Sequence, residues 1–206
     1  GYPIGAKLLN DAVTRGEISP KDSGKMLCFC VNAGPGFIIA AVGNGILRSQ
    51  TLGFILLTAH CISSFAVCFF MHIITKYKYP AANRKSNCVS LADRFVYSAT
   101  GSANTILNII AFVILFAVIV AYAEHYSNQF EPLKLFVYLA EVTIAVTKTS
   151  NIYLISALLG FAGICIWCQI ISIGKNLKIN LPIFIIFRLV HALISTTLTA
   201  LLVKIF

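Results

Sequence analysis

Charged residues are scarce in this chain. Only 11% of its 206 residues are Asp, Glu, Lys or Arg, whereas soluble domains average about 25%. Acidic residues are rarest, with seven Asp and Glu against sixteen Lys and Arg, and 58% of all residues are hydrophobic. So little charge is not enough for the surface of a soluble protein, which excludes an ordinary soluble enzyme.

The sequence also lacks the patterns that most enzyme chemistry requires. It has no Ser-His-Asp grouping, no phosphate-binding glycine loop and no carboxylate pair at catalytic spacing. His60 and His72 are too far apart in one apolar run to share a metal. Cys165 and Cys168 form a C-x-x-C that is compatible with metal or redox chemistry, but small apolar residues of a helix are the commoner use. We predict neither an enzyme nor a metal site.

A nucleic-acid partner is not expected either, although the net charge is +9. The basic residues lie in short connections between apolar runs, without the aromatic residues that accompany a nucleic-acid surface. In such connections, lysines and arginines indicate membrane topology.

Long apolar runs dominate what is present. A membrane helix needs about 20 mostly apolar residues. Five runs approach or exceed that length, namely residues 26–47, 52–74, 102–123, 151–173 and 182–206. We therefore predict an all-α, polytopic membrane protein whose main partner is the lipid bilayer.

Two of these runs contain residues that weaken a helix. Residues 32–36 read Asn-Ala-Gly-Pro-Gly, and residues 160–163 read Gly-Phe-Ala-Gly. Proline removes a backbone donor and glycine lowers helix propensity, so both helices are predicted to be broken near these points. The stretch 133–148 is too short and too polar to span, and we predict a re-entrant hairpin with its tip near Glu141.

The broken helices occupy equivalent places in a predicted inverted repeat. Repeat one, residues 1–74, has a tip at Tyr2-Pro3, a short arm, a broken helix and an intact helix. Repeat two, residues 133–206, has the same order from its tip at residues 141–143. Paired discontinuous helices of this kind point to a substrate site at the bilayer midplane.

One crossing helix, residues 95–123, separates the repeats, and an odd number of crossings inverts the second repeat. The preceding loop, residues 75–94, is the most basic connection and is predicted to be cytoplasmic. We expect residues 1–206 to form one transmembrane domain. Ten of the sixteen basic residues then lie inside: Arg15, Lys21, Lys25, Lys76, Lys78, Arg84, Lys85, Arg94, Lys175 and Lys178. Four lie outside: Arg48, Lys134, Lys148 and Lys204. The remaining two, Lys7 and Arg188, are expected at or near membrane depth, where ionisable groups are costly and often functional.

Several stretches resemble the sporulation integral membrane protein YlbJ family, within the nucleoside-recognition or Gate-domain superfamily. They are GYPIGAKLL (1–9), NAGPGFIIAAVG (32–43), EVT (141–143), GFAGICIWCQ (160–169) and, more weakly, RLVHAL (188–193). Where the family has a glycine shortly after the EVT tip, this chain has Ile144-Ala145. Family members are longer at the N-terminus, in agreement with the absence here of an initiator methionine and of a signal pattern, so the chain is expected to be truncated there.

The resemblance implies a multi-pass protein of the bacterial inner (cytoplasmic) membrane that is needed for making resistant spores. Related Gate domains occur in spore maturation proteins, the ferrous-iron transporter core and concentrative nucleoside transporters. In the last group, hairpin tips and broken helices hold a nucleoside and a coupling cation. The expected ligand is therefore a small, nucleoside-like polar solute, with Na+ or H+ as candidate coupling ion and no other cofactor. A homo-oligomer and other sporulation membrane proteins are candidate assemblies.

By position, the resemblance implies that particular residues form the tips and the broken helices. These are Pro3 and Gly5 at the first tip, Asn32, Gly34 and Pro35 in the first broken helix, Glu141 and Thr143 at the second tip, and Gly160, Gly163 and Gln169 in the second broken helix.

The residues themselves add Asn104 and Asn108 as substrate-binding candidates, because an amide both donates and accepts, although amides in membranes often join helices instead. Glu141 is predicted to bind a substrate hydroxyl, a cation or a proton, or else to be satisfied by Lys7 or a neighbouring helix. Arg188 and His191 share a helix face and could meet an anionic group. Snorkelling, or pairing of Arg188 with a helix end, is favoured. A non-transporting scaffold or channel component of the spore envelope is the alternative function.

Overall fold

The protein is described here by a computed structural model that covers residues 1–75 and 90–205. Every regular element within these residues is a helix, which confirms the predicted all-α class. In chain order the helices are α1 Ile4–Thr14, α2 Pro20–Cys30, a π-helix Phe37–Ile46, α3 Gln50–Thr75, α4 Leu91–Tyr126, α5 Pro132–Ala140, α6 Val142–Thr147, α7 Ile152–Phe161, α8 Gly163–Ile173 and α9 Leu181–Ile205.

Four segments are long and apolar enough to cross a membrane, which identifies a membrane protein. They are Gln50–Ile74, Leu91–Tyr126, Ile152–Ile173 and Leu181–Ile205. The fifth predicted run, residues 26–47, is not one helix, because α2 ends at Cys30 and the helical conformation resumes only after Gly34. Most of the predicted basic connection, residues 75–94, lies outside the described residues, since these omit residues 76–89.

The beginning of α2 follows the local signals in the sequence. Ser19 is the N-cap and its hydroxyl accepts a hydrogen bond from the Asp22 backbone N–H at 3.2 Å. Pro20 occupies the first helical position, where its missing N–H costs nothing. At the other end Val31 is extended, with φ −93° and ψ 92°, so the chain leaves the helix before the Gly-Pro pair that was predicted to break it.

The second interruption lies between α7 and α8. Ala162 and Gly163 have φ values of 73° and 75°, in the left-handed region. This conformation costs a Cβ-bearing residue about 1 kcal/mol, whereas glycine adopts it freely. The predicted weak centre at residues 160–163 is therefore a break in helical direction, although α7 and α8 together still make one span.

Glu141 separates the two short helices α5 and α6. It has an extended backbone, with φ −139° and ψ 115°, and serves as the N-cap of α6. Neither α5 nor α6 is long enough to cross a bilayer on its own, as the sequence predicted for this stretch.

Loops at one end of the molecule carry many of the basic residues. The Asn176 backbone N–H donates to Asn10 Oδ1 at 3.0 Å, and the Lys178 N–H donates to the Pro20 carbonyl at 3.0 Å. These bonds join the loop after α8 to α1 and to the start of α2. At the opposite end of the α7–α8 span, Lys148 pairs with Glu124. These contacts place the loop after α8 and the loop before α7 at opposite ends of the α7–α8 span.

The main core lies among α2, the π-helix, α3, α7 and α9. Its largest buried side chains include Leu27, Ile38, Leu56, Leu159 and Phe184. α4 is less buried than the other spans: only 17% of its most apolar 18-residue segment is buried inside the protein. The apolar side chains on the remaining surface of α4 are available to contact lipid.

Candidate functional site

Arg188 of α9 joins the ends of both interrupted helices. Its side chain is fully buried, at 0% exposure. Nη1 donates to the Val31 carbonyl at the end of α2, at 2.6 Å, and Nε donates to the Gly160 carbonyl at the end of α7, at 3.0 Å. Nη2 also donates to the Gly160 carbonyl. The prediction that Arg188 pairs with a helix end is confirmed, and it pairs with two.

The two helix ends also balance the charge of Arg188. Each helix C-terminus carries about half a negative charge through its unpaired carbonyls, so two of them offset about one positive charge. Among residues 1–75 and 90–205, no carboxylate lies within 4.0 Å of this guanidinium. The backbone of the two breaks is therefore the structure's own counter-charge for Arg188.

Two histidines extend this network, and their hydrogen bonds fix their tautomers. Arg188 Nη2 donates to His191 Nδ1 at 2.6 Å, so the His191 proton is on Nε2, which lies 3.2 Å from the His60 carbonyl. His60 Nε2 accepts from the Ala33 N–H at 3.1 Å, which leaves the His60 proton on Nδ1. Both rings are therefore neutral in this arrangement.

Other side chains satisfy the backbone that the breaks release. Tyr2 Oη donates to the Leu159 carbonyl at 2.5 Å, so the first predicted tip contacts the end of α7. Asn32 Nδ2 and Ser64 Oγ both donate to the Phe29 carbonyl, at 2.9 Å and 2.7 Å. Freed backbone groups cost several kcal/mol each in hydrocarbon, which explains why polar side chains gather here.

Two polar atoms near the first break have no partner within the part of the chain that the structure describes. They are Asn32 Oδ1 and His60 Nδ1, both of them inaccessible to solvent. These two atoms are therefore the polar groups beside the first break that the surrounding network leaves unsatisfied.

The predicted glycines act mainly by allowing close backbone approach. A Cβ on Gly5 would lie 2.2 Å from the Cys30 carbonyl oxygen, and one on Gly160 would lie 2.5 Å from Ala192 Cα. A Cβ on Gly34 would lie 3.5 Å from Gly1 Cα. Gly1 therefore lies in contact with the first break.

The remaining residues of the first predicted tip and break differ in exposure. Pro3 is buried as the residue before α1, and its peptide bond with Tyr2 is cis. Pro35 is exposed, at the point where the helical conformation resumes.

The second predicted tip is held by its own backbone. Glu141 is 1% exposed, and Oε2 accepts from the Ile144 N–H at 2.7 Å and from the Thr143 hydroxyl at 2.5 Å. A Cβ on Gly163 would lie 3.2 Å from the Val142 nitrogen, so the second break lies against this tip. Lys7, the partner considered for Glu141, pairs with Asp11 at 2.7 Å instead. Glu141 therefore caps the neighbouring helix α6, which corresponds to the alternative that a neighbouring helix satisfies this carboxylate.

A groove of about 320 Å³ lies between α1, α4 and α8. Its lining combines polar groups with a larger apolar area and includes both predicted asparagines: Lys7, Asp11, Tyr97, Thr100, Gly101, Asn104, Thr105, Asn108 and Ile173. Asn108 Nδ2 donates to Ser172 Oγ at 2.8 Å. Asn108 Oδ1 is buried and has no hydrogen-bond partner among the described residues.

The predicted site residues thus fall into three groups rather than one. Asn104 and Asn108 line the groove. Asn32, Gly34, Pro35 and Gly160 surround the two breaks, with Pro3 and Gly5 on the first tip. Glu141, Thr143 and Gly163 lie together at the predicted second tip. Gln169 belongs to none of the three groups; it is buried further along α8, where its amide donates to Cys165 Sγ.

Sequence reasoning missed the role of Lys7 and Asp11 in the groove. Their spacing was a usable signal, because Lys7 with Asp11 and Asn104 with Asn108 are each i, i+4 pairs that share a helix face. His60 was set aside as a metal ligand, and its bond to the Ala33 N–H has no local signal. No cluster of three or more His, Cys, Asp or Glu able to hold a metal occurs in residues 1–75 and 90–205.

No family model, curated protein or solved structure matches this chain.

Proposed function

We propose that this protein is a transporter-like binder of a small polar solute, and that the solute occupies the groove between two inverted repeats. The observation that carries the proposal is that the residues lining the groove come from both predicted repeats and from the helix between them. Lys7 and Asp11 come from predicted repeat one, Asn104 and Asn108 from the crossing helix, and Ile173 from predicted repeat two. A solute bound there would contact each of the parts that move relative to one another in alternating access.

The chemistry of the groove supports a polar solute. Its volume of about 320 Å³ lies within the range of small-molecule sites. Polar and ionisable side chains are costly at membrane depth and are retained there for binding or transport. The Asn104 amide is exposed in the groove, where it can both donate to and accept from a polar solute.

The position of the groove supports entry from the basic end of the molecule. Asp11 lies one helical turn before the end of α1, and Thr14 at that end accepts a hydrogen bond from Asn176 Nδ2 at 3.1 Å. The loop that holds Asn176 also holds Lys175 and Lys178, which are predicted to face the cytoplasm. The groove therefore connects the middle of α4 with the cytoplasmic side.

The inverted repeat itself is supported by the matching order of interrupted and intact helices. α2 and the π-helix are followed by the intact α3, and α7 and α8 are followed by the intact α9. By the family resemblance described above, we place this activity in the bacterial inner membrane during spore formation, with a nucleoside-like molecule as the first solute to test.

A scaffold or channel component of the spore envelope is the second candidate, and two observations favour it. The surroundings of Arg188 are filled, because Arg188 and His191 are both fully buried. α4 also presents exposed apolar side chains, such as Ile114 and Leu115, which a second copy or another membrane protein could cover as well as lipid.

Thermal-shift binding on the detergent-purified protein separates the two candidates. Nucleosides, nucleobases, Na+ and pH would be varied, with Asn108→Leu as the groove variant and Glu141→Gln as the tip variant. Asn128→Leu, on an exposed loop, is the matched control. We expect one solute to stabilise the parent and Asn128→Leu but not Asn108→Leu. Loss in Glu141→Gln alone would move the site to the second tip, and no shift with any solute would favour the scaffold.

A further inference from the structure

The meeting point of α2 and α7 has the electrostatics of a cation site. Both helices end there with carbonyls that have no intrahelical partner, and the Val31 and Gly160 oxygens are close enough to bind one guanidinium. Two helix C-termini together place about one negative charge at this point. Without a cation, these carbonyls would be desolvated and unpaired inside the membrane.

The protein's own Arg188 occupies this position. Nε, Nη1 and Nη2 each donate to a carbonyl of one break or the other, and Nη2 also binds His191. Arg188, His191 and His60 are at most 1% exposed, so no space remains for an added ion or for water. With no carboxylate within 4.0 Å among the described residues, the helix ends are the counter-charge.

We infer that Arg188 is a built-in cation: its guanidinium fills the cation site formed by the two helix ends, and this site takes no external Na+. The inference does not depend on the solute or on the groove. It concerns ion dependence, because a site already holding a covalently attached cation cannot couple solute binding to a free one.

Replacing Arg188 by alanine empties the site and gives a direct test. The atoms removed correspond to ethylguanidinium, since alanine keeps Cβ. We expect Arg188→Ala to melt below the parent protein in detergent, and added ethylguanidinium to restore part of the loss. Ethylurea, which has a similar shape but no charge, should not restore it. Neither compound should stabilise the parent, and Na+ should not stabilise the parent more than choline at equal ionic strength.

Three results would overturn the inference. Ethylguanidinium could leave Arg188→Ala unchanged, ethylurea could restore stability equally, or Na+ could stabilise the parent relative to choline. Either of the first two would mean that the site does not require a cation, and the third would mean that the parent protein binds external Na+.

If Arg188→Ala does not fold, a second pair of variants tests whether the site requires a positive charge. Arg188→Lys keeps a positive charge that can reach carbonyls, and Arg188→Met keeps an apolar side chain of similar length. The yield of monodisperse protein and its melting temperature should both be higher for Arg188→Lys than for Arg188→Met. Equal or reversed values would contradict the built-in cation, because apolar packing alone would then be enough.

Discussion

His60 and His191 stack against each other at the centre of the protein, with ring centroids 4.6 Å apart and ring planes inclined by 37°. Each lies ten residues after the first residue of its helix, Gln50 in α3 and Leu181 in α9. His60 binds the backbone of the first break, and His191 orients Arg188, which binds both. The two intact helices therefore present the same residue type, at the same position, to the interrupted helices.

His60→Leu should destabilise the protein by about 1–3 kcal/mol, because the buried Ala33 N–H would lose its acceptor. Melting temperature in detergent measures the effect. His125→Leu is the control, since His125 is exposed near the end of α4 and should change little. Equal melting temperatures for the two variants would show that the bond to Ala33 does not hold the first break.

Gly160→Ala should cost about 1–3 kcal/mol of stability through overpacking. Its new Cβ would lie 2.5 Å from Ala192 Cα, which is backbone and cannot rotate away. Gly36→Ala is the matched control, because nothing lies within 4 Å of a Cβ there and its φ of −59° suits alanine. Thermal unfolding should rank Gly160→Ala below the parent and Gly36→Ala at or above it; the reverse order would mean that α7 and α9 are not in close contact.

Three buried hydroxyls join α7 to α9, and removing one should have a small, measurable cost. Ser156 Oγ lies 2.9 Å from both Ser195 Oγ and Thr199 Oγ1. Thr199→Val keeps the shape of the side chain and removes the bond, at about 0.6 kcal/mol and at most about 1.7. A double-mutant cycle with Ser156→Ala measures the coupling, and zero coupling would contradict the contact. Thr197→Val, on an exposed position of the same helix, is the control.

The predicted orientation can be tested by labelling cysteines placed at the two ends of the α7–α8 span. In a cysteine-free background, Lys175→Cys should react with a membrane-impermeant maleimide only after the cells are opened, because basic loops remain in the cytoplasm. Ser150→Cys, exposed at the other end, should react in intact cells. The opposite pattern would invert the topology and place the groove entrance outside.

Much of the helical framework could be predicted because its signals are local. Ser19 and Pro20 are the cap and first-turn residues that favour a helix start at α2, and the glycines and proline of residues 32–36 predicted the first break. Near the second break, Gly163 takes the left-handed conformation that glycine favours. Helix propensity and helix capping act between residues that are close in the sequence, so these features can be predicted from it.

The π-helix Phe37–Ile46 was not predicted, because it depends on a tertiary contact. A Cβ on Gly43 would lie 2.7 Å from Gly53 Cα, so α3 begins directly against this segment. No periodicity in residues 37–46 distinguishes such a helix from an ordinary one.

The network around Arg188 could be predicted only in part, for a similar reason. A buried arginine was expected to find a helix end, but its two carbonyl partners are 28 and 157 residues away in the sequence. In the groove, the i, i+4 spacing of Asn104 and Asn108 indicates one face of α4. The packing of the helices decides which of them lies against this face of α4. The hydrogen bond between Asn108 and Ser172 could therefore not be predicted from the sequence.

The most direct test of the proposed site asks whether water enters the groove. A thiol reacts with a polar maleimide only where water allows the thiolate to form. In a cysteine-free background, Asn104→Cys lies in the groove, while Leu107→Cys is also exposed on α4 but is not part of the groove lining. In inside-out membrane vesicles, where the reagent reaches the cytoplasmic face, we predict rapid labelling at position 104. Labelling at position 107, which is expected to face lipid, should be slow. Equal labelling at both positions, or none at either, would contradict a solute groove between the repeats.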